Sequence, residues 1–317
     1  MGKPIFRYHE DIWSEKYRPT KLSDYVTSSD FKEKFEKFIK HQKLKNILLE
    51  GEPGTGKSTL ANILVSNIDC EVKVINAAEE RGIDVVREGI KSFCTTSSFK
   101  PFKVLVLEEF SEFTPIAQNA LKSLLEVNFD NTRVIMTCNS VDLIIPALRS
   151  RFQEFTIFPP TREQVEERCK EILVNEKVEF DNSDLELIIR NFYPDIRKCI
   201  NYLDQNSVDG QLKLDKEFYK LFKYQQKILD IILSLKEANL HDKVTEIRQL
   251  VANTKVRNFI TLYKFLFEKI DDYLDKKKII KGIMIIGNGI KNDYQLADKE
   301  INFVTTLLEL MELKCLQ

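Results

Sequence analysis

The stretch from Lys45 to Thr59, KNILLEGEPGTGKST, constrains the fold more than any other part of the sequence. Its apolar run, Ile47 to Leu49, predicts a buried strand, and a full match to the phosphate-loop pattern GxxxxGK[ST] follows at once. Apolar residues then recur at helical spacing from Leu60 to Leu64, which predicts a helix directly after the loop. A strand, a glycine-rich loop and a helix in this order predict a site for a nucleoside triphosphate.

Each part of this loop has a chemical reason. Glycines let the backbone curl so that successive N–H groups point at phosphate oxygens, and the helix N-terminus adds positive potential. We expect Lys57 to reach the β- and γ-phosphates and the Ser58 hydroxyl to ligate Mg²⁺. The predicted phosphate-binding residues are Gly51, Glu52, Pro53, Gly54, Thr55, Gly56, Lys57, Ser58 and Thr59.

Composition narrows the class of protein and its surroundings. With 317 residues, 43% hydrophobic and 31% charged, the chain has an ordinary globular composition and room for two or three domains. A net charge of −1 argues against a uniformly basic surface, although 48 lysines and arginines leave room for a local basic groove. Six widely spaced cysteines without a CxxC pair favour reduced thiols, and no apolar run reaches membrane-spanning length. We therefore expect a cytoplasmic protein with no membrane partner.

Strands alternate with helices up to Pro159-Pro160, and this alternation predicts an α/β fold with a parallel sheet covered on both faces. Beyond the prolines, Thr161 to Gln164 forms a capping box that opens an amphipathic helix, and further short helices predict a small helical unit. From Lys223 onward, hydrophobic residues recur every three or four positions, which indicates a second helical bundle. The predicted domains are residues 1–158, 159–222 and 223–317.

Two carboxylates, Glu108 and Glu109, follow the hydrophobic run Val104 to Leu107, as in a Walker B strand. In phosphoryl-transfer sites one carboxylate holds Mg²⁺ and another polarises the attacking water. By position we assign the metal role to Glu108 and the base role to Glu109. The alternative is a pair of surface acids after a strand.

Three further polar residues depend on their neighbours for an interpretation. Asn139, at the end of the next strand, is placed to orient the lytic water, although a lone Asn at a strand end is commonly a turn former. Arg151, at the edge of the predicted domain, is either a solvated charge or a finger that enters an adjacent subunit's site. Arg197, early in a helix of the predicted small helical unit after the prolines, is positioned to report the nucleotide to that unit.

Taken together, these motifs resemble the AAA+ sliding-clamp-loader ATPase subunits. The chain looks like the small subunits of replication factor C and, more closely, the large subunit of T-even-type phage clamp loaders. The motifs cover the first two thirds of the chain; over the last third the resemblance is one of size and helicity. The resemblance implies an AAA+ P-loop domain, a helical lid and an all-α collar. The segments that carry it are EKYRP, GEPGTGKST, NAAEERGIDVVR, VLVLEEF, AQNAL, Asn139, Ser150-Arg151 and PDIRK.

The same resemblance implies roles for individual residues. Asn139 would be sensor 1, Arg151 the finger acting in a neighbouring site, and Arg197 sensor 2. Glu108 stands where the family usually has Asp. Its extra methylene moves the outer carboxylate by roughly an ångström or more, which leaves open both rearranged metal coordination and slower hydrolysis. The residues implied to line the adenine pocket are Ser14, Glu15, Lys16, Tyr17 and Val26, with Arg18 fixing the segment.

The resemblance also implies contacts with DNA. Arg81, with Gly82 beside it, matches a basic switch that pairs with the catalytic Glu until DNA draws it away, and Gln118 would couple the ATP site to DNA. Backbone amides and basic side chains near Arg81–Val85 and Thr114–Gln118 would track DNA phosphates, in a salt-sensitive manner.

The function implied is ATP-dependent loading of a sliding clamp onto primer–template DNA, with DNA-triggered hydrolysis releasing the closed clamp. The implied cofactors are ATP and Mg²⁺. The implied partners are the clamp, a companion subunit and further copies of the chain in a ring or spiral, with a pentamer favoured; for a phage-encoded chain the compartment would be the host cytoplasm. Two alternatives stay open, namely an AAA+ helicase loader or remodeller, and a non-hydrolysing scaffold subunit.

Overall fold

The computed structural model describes residues 12–127, 131–214, 216–236, 240–253 and 259–315. The chain forms two compact units, Met1–Lys213 and Leu214–Gln317. The predicted division into three domains, with boundaries after residues 158 and 222, stays a prediction.

The first unit is built on a five-stranded sheet in which every neighbouring pair of strands is parallel. The strand order is β2-β3-β4-β1-β5, so β1, β3 and β4 are interior strands. Their side chains are buried on both faces, as expected of a parallel sheet covered by helices, and the predicted fold class is confirmed. The strands are β1 (Ile47–Glu50), β2 (Glu71–Asn76), β3 (Lys103–Glu108), β4 (Thr132–Cys138) and β5 (Gln153–Thr156).

Two apolar layers cover this sheet. One layer includes Phe35 and Leu60 against Ile135, and the other includes Phe110 and Leu121. A π-helical stretch precedes α4. The helices of this part are α1 (Trp13–Lys16), α2 (Ser29–Lys40), α3 (Lys57–Asn67), α4 (Lys91–Thr95), α5 (Pro115–Glu126) and α6 (Pro146–Arg149), and the π-helical stretch is Val85–Ile90.

The remainder of the first unit, here called the lid, contains α7 (Arg162–Asn175), α8 (Asn182–Phe192) and α9 (Ile196–Asn206). The predicted capping box is confirmed, because the Thr161 side chain accepts from the Gln164 N–H and the Gln164 side chain accepts from the Thr161 N–H. A small antiparallel hairpin follows, β6 (Ser207–Val208) and β7 (Gln211–Leu212), which the sequence pattern does not predict. Its turn, Asp209-Gly210, has φ values of 54° and 73°, the positive values that Asp-Gly hairpin turns require. Strands of two residues are too short to show an alternating pattern.

The second unit is a helical bundle, as the three-to-four-residue periodicity predicts. Apolar residues from all of its helices form one continuous core. Within the described residues, no helix combines the length and the apolar character needed to cross a bilayer. The helices are α10 (Lys216–Leu233), α11 (Leu240–Asn253), α12 (Ile260–Glu268), α13 (Ile270–Tyr273), α14 (Ile279–Asp293) and α15 (Lys299–Cys315).

Candidate nucleotide site

The phosphate loop, residues 51–58, joins β1 to α3 as predicted. Gly54 and Gly56 have φ values of 80° and 97°, in the left-handed region that favours glycine. A Cβ on Gly56 would lie 3.0 Å from the Tyr25 ring, whose hydroxyl donates to the carbonyls of Thr55 and Gly56 at 3.4 Å each. The glycines therefore allow the loop to curve, and the hydroxyl of the buried Tyr25 holds the loop backbone by hydrogen bonds.

Lys57 lies at the centre of the loop. Its ammonium donates to the carbonyls of Gly51 (2.8 Å) and Glu52 (2.9 Å) and to Oδ1 of Asn139 (2.9 Å). Burial lowers the pKa of Lys57, while Glu109 acts in the opposite direction to a lesser extent. The structure thus brings together the predicted phosphate-binding lysine and the predicted sensor at the ends of neighbouring strands β1 and β4.

The predicted acid pair ends β3, beside β4. Glu108 is half-buried, and its Oε1 is buried without a hydrogen-bond partner among the described residues. Glu109 is exposed, with a φ of 52° that is uncommon for a residue other than glycine. Its N–H donates to the Thr137 hydroxyl at 3.2 Å, which fixes this turn against β4. Backbone strain of this kind is concentrated at functional sites.

A cavity of about 80 Å³ adjoins the loop. Parts of the chain that are far apart in sequence line it. Most of the predicted adenine-pocket residues lie here, together with Arg197 and part of the loop. The lining residues are Ser14, Glu15, Tyr17, Arg18, Pro19, Tyr25, Val26, Gly54, Thr55, Gly56, Thr59, Pro160, Arg168, Ile196, Arg197 and Ile200.

The segment 13–19, here called the strap, is fastened on two sides. On one side, the Nε of Arg18 donates to the Thr59 hydroxyl at 3.1 Å, in α3. On the other, the Tyr17 hydroxyl donates to Glu176 in the lid at 2.6 Å, and Lys16 donates to the same carboxylate. Within the described residues, Lys16 does not line the cavity, because its side chain turns to Glu176 instead.

The two segments predicted to track DNA lie side by side. The N–H of Thr114, which caps α5, donates to the carbonyl of Arg81 at 3.4 Å. Arg81 and Gly82 are exposed. Among the described residues no ion pair joins Arg81 to Glu109, so the predicted switch pair is not formed in this structure.

Gln118 is buried and uses both ends of its amide. Its Nε2 donates to the carbonyls of Phe113 (3.2 Å) and Leu143 (3.0 Å), and its Oε1 accepts from the N–H of Ile145 at 3.0 Å. Gln118 therefore ties α5 to the turn that follows β3 and to the segment that precedes α6.

Arg151 and Arg197 lie in different surroundings. Arg197, in the first turn of α9, lines the cavity. Arg151 follows α6, is exposed and pairs with Glu126 at 2.6 Å; within the described residues it does not line the cavity.

Sequence reasoning did not identify several residues of the site. Tyr25 holds the phosphate loop, and Thr137 holds the turn at Glu109. No sequence motif includes them, because their partners lie far away in the chain. Arg168, in helix α7 of the lid, donates to the carbonyl of Tyr17 at 2.9 Å. Ile196 and Ile200 supply an apolar wall of the cavity. Their four-residue spacing is a sequence pattern that could have indicated this shared helix face.

Comparison with known proteins defines the class. The family model described as "ATPase family associated with various cellular activities (AAA)" matches residues 47–160. The RuvB Holliday junction branch migration motor of Thermotoga maritima has a similar fold, with a TM-score of 0.54 and 20% identity, covering 69% of this chain and 80% of that chain. Fold and site together define an ATPase of the AAA type.

Sequence relatives identify the family. The replication factor C small subunit of Sulfurisphaera tokodaii is 36% identical over 252 residues, which is 77% of both chains. The human replication factor C subunit 5 is 32% identical over 251 residues, covering 75% of this chain and 74% of that protein. The chain belongs to the family of replication factor C small subunits, as its motifs predict. The closer similarity to phage clamp loaders stays a prediction.

Proposed function

We propose that the chain is an ATP-driven subunit of a sliding-clamp loader, which opens the clamp and loads it onto primer–template DNA for processive replication. Its membership of the replication factor C small-subunit family supports this function. The observation that carries the proposal is the cavity shared by the strap, the phosphate loop and the lid. A nucleotide in this cavity would contact all three, so its binding and hydrolysis would move them relative to one another.

The residues present fit ATP with Mg²⁺. Oε1 of Glu108, buried and without a hydrogen-bond partner among the described residues, offers an oxygen at the carboxyl end of β3, and the Ser58 hydroxyl lies in the first turn of α3. Hard oxygen donors of this kind suit Mg²⁺, which when bound neutralises phosphate charge. Lys57 would exchange its carbonyl partners for phosphate oxygens, and Glu109 would accept the proton of the attacking water while Asn139 orients it.

DNA, clamp and neighbouring subunits complete the proposal. The adjacent segments at Arg81–Gly82 and Thr114–Gln118 would follow DNA phosphates, and Gln118 would relay this contact towards the ATP site. The helical bundle would serve as the collar of a ring or spiral, pentameric and shared with a companion subunit. The six free thiols are consistent with a reducing cytoplasm, that of the host for a phage-encoded chain.

Steady-state ATP hydrolysis by the chain with its companion subunit tests the function. It is measured alone, then with the cognate clamp, then with clamp and recessed-end DNA. We expect a large stimulation that requires both clamp and DNA. Stimulation by single-stranded DNA alone, with no effect of the clamp, would indicate a helicase loader. Tight ATP binding without turnover in the full complex would indicate a scaffold.

The proposed finger is tested in the same assay with Arg151→Ala. Because Arg151 would serve a neighbour's site, the isolated chain should hydrolyse ATP poorly, and the variant should lower stimulated turnover of the complex by about 10³-fold. Glu126→Gln is the matched control, since it removes the ion-pair partner of Arg151 but keeps the guanidinium. Wild-type turnover by Arg151→Ala in the assembled complex would contradict the finger assignment.

A further inference from the structure

The carboxylate of Asp195, in the lid, lies directly against Gly54 of the phosphate loop. A Cβ added to Gly54 would be 2.3 Å from Oδ1 and 2.6 Å from Cγ of Asp195. Contacts this short do not occur for real Cβ atoms, so a side chain at position 54 would displace the Asp195 carboxylate. The absence of a side chain at Gly54 is therefore what lets this carboxylate lie against the backbone of the loop.

Asp195 also begins α9. Its Oδ1 accepts from the N–H of Lys198 at 3.1 Å, the N-cap arrangement, and the Lys198 ammonium lies 3.4 Å from Oδ2. This donor and the nearby ammonium partly offset the negative charge, so the carboxylate can lie beside a loop meant for phosphates. The contact with Gly54 is close packing and includes no ion pair with the loop.

Arg197 follows two residues later, in the first turn of the same helix. A helix moves as a rigid body over one turn, so the point at which Asp195 meets the loop determines where the Arg197 guanidinium stands in the cavity. A displacement of about an ångström is enough to weaken a contact with phosphate strongly.

We propose that Asp195 is a positioning residue, which seats α9 on Gly54 and thereby sets the reach of Arg197 to the nucleotide. This inference rests on the proposed function and on the role of sensor 2 that the family resemblance implies for Arg197. The inference predicts that Asp195 and Arg197 act as one unit, so that losing either side chain removes the same interaction between Arg197 and the nucleotide.

Substitutions at Asp195 can separate its two functions. Asp195→Ser keeps an N-cap oxygen but removes the carboxylate, whose Oδ1 makes the nearest approach to Gly54, and Asp195→Thr is a second variant of the same design. Asp195→Asn keeps both the cap and the shape of the side chain. The matched control is Asp181→Ser in α8, since Asp181 is an N-cap of the same lid and, within the described residues, does not line the cavity.

The measurement is equilibrium binding of ATP by the purified full chain, which requires no partner. We expect Arg197→Ala and Asp195→Ser each to weaken binding about 10-fold, as does the loss of about 1.4 kcal/mol. The double variant should bind no more weakly than Arg197→Ala alone, because residues that act as a unit are not additive. Asp195→Asn should recover most of the affinity, and Asp181→Ser should bind as wild type.

Three results would overturn the inference. The first is wild-type affinity in folded Asp195→Ser and Asp195→Thr while Arg197→Ala is weakened. The second is a double variant about 100-fold weaker than wild type, which would mean independent effects. The third is normal ATP binding by Arg197→Ala, because the sensor role of Arg197 then fails and the positioning role fails with it.

Discussion

The two units of the chain use glycine and buried polar groups in opposite ways. In the first unit, Gly54 and Gly56 take left-handed backbone conformations that leave room for a ligand and for the lid. In the second, Gly289 lies inside a helix, where a Cβ would be 2.5 Å from the Thr306 hydroxyl oxygen and 2.8 Å from the Tyr263 ring. Gly54 and Gly56 shape a binding loop, whereas Gly289 allows close packing between helices.

Polar atoms follow the same division. In the bundle, Nδ2 of Asn302 donates to the Tyr263 hydroxyl and to the Gly289 carbonyl, both at 2.9 Å. At the carboxyl end of β3, Glu108 keeps a buried oxygen without a partner among the described residues. Among the described residues of the bundle, Oδ1 of Asp293 is also buried without a hydrogen-bond partner, although its Oδ2 lies 3.4 Å from the Lys299 ammonium. The comparison shows that Glu108 keeps bonding capacity for a ligand, whereas Asn302 uses its own within the core.

The largest expected effect is on ATP binding. It distinguishes Lys57 from Lys314, two lysines whose ammonium groups both donate to backbone carbonyls. Lys57→Ala should weaken ATP binding by about 10- to 100-fold, since a charge-assisted contact is worth about 1.5–3 kcal/mol, with little loss of stability. Lys314, whose ammonium donates to the last carbonyls of α10, Ile232 and Leu233, is the counterpart in the bundle. Lys314→Ala should lower the free energy of unfolding by about 1–2 kcal/mol and leave ATP affinity unchanged. Calorimetric titration and urea unfolding measure the two quantities, and a reversed pattern would break the comparison.

A second test uses two glycines of α14. Gly289→Ala should lower the free energy of unfolding by about 1–3 kcal/mol through overpacking against Thr306 and Tyr263. Gly287, two residues away, is exposed and has no atom within 4 Å of an added Cβ. Gly287→Ala should therefore raise stability by about 0.5–1 kcal/mol, because alanine favours a helix. Urea unfolding followed by circular dichroism measures both, and equal effects of the two substitutions would contradict the packing role of Gly289.

The smallest expected effect concerns the contribution of the strap to the free energy of unfolding. Burial and then the hydrogen bond to Glu176 raise the pKa of Tyr17 to about 12 from its ordinary value of 10.0. A pKa raised in the folded state gives stability that is complete below about pH 10 and is lost as the pH rises through about 12. Tyr17→Phe should therefore lower the free energy of unfolding by about 0.5–1.5 kcal/mol at pH 8, with a smaller difference near pH 11.5.

The single tryptophan makes this measurement selective. Trp13 is buried in the strap, so its fluorescence follows unfolding of the first unit. Tyr294→Phe is the control, because that tyrosine is exposed in the bundle. A Tyr17→Phe difference that stays constant from pH 8 to pH 11.5 would show that the hydroxyl does not act through its ionisation.

Local patterns predicted much of the fold and part of the site. The strand–loop–helix order at Lys45–Thr59, the carboxylates after β3 and the capping box at Thr161 all depend on residues close in sequence, and the structure has each where predicted. Lys16 shows the limit of such reasoning. Its motif neighbours line the cavity, but its own side chain pairs with Glu176, which no local pattern predicts.

The sequence by itself determined the phosphate loop, the α/β class, the helical character of the second unit and the family. These depend on residue type, spacing and periodicity, which a chain carries before it folds. Only the tertiary structure decided that the strap joins α3 to the lid, that Gln118 ties three segments together and that Asp195 meets Gly54. The physical reason is that these contacts join residues far apart in the chain, and their distances are fixed by packing of the whole unit.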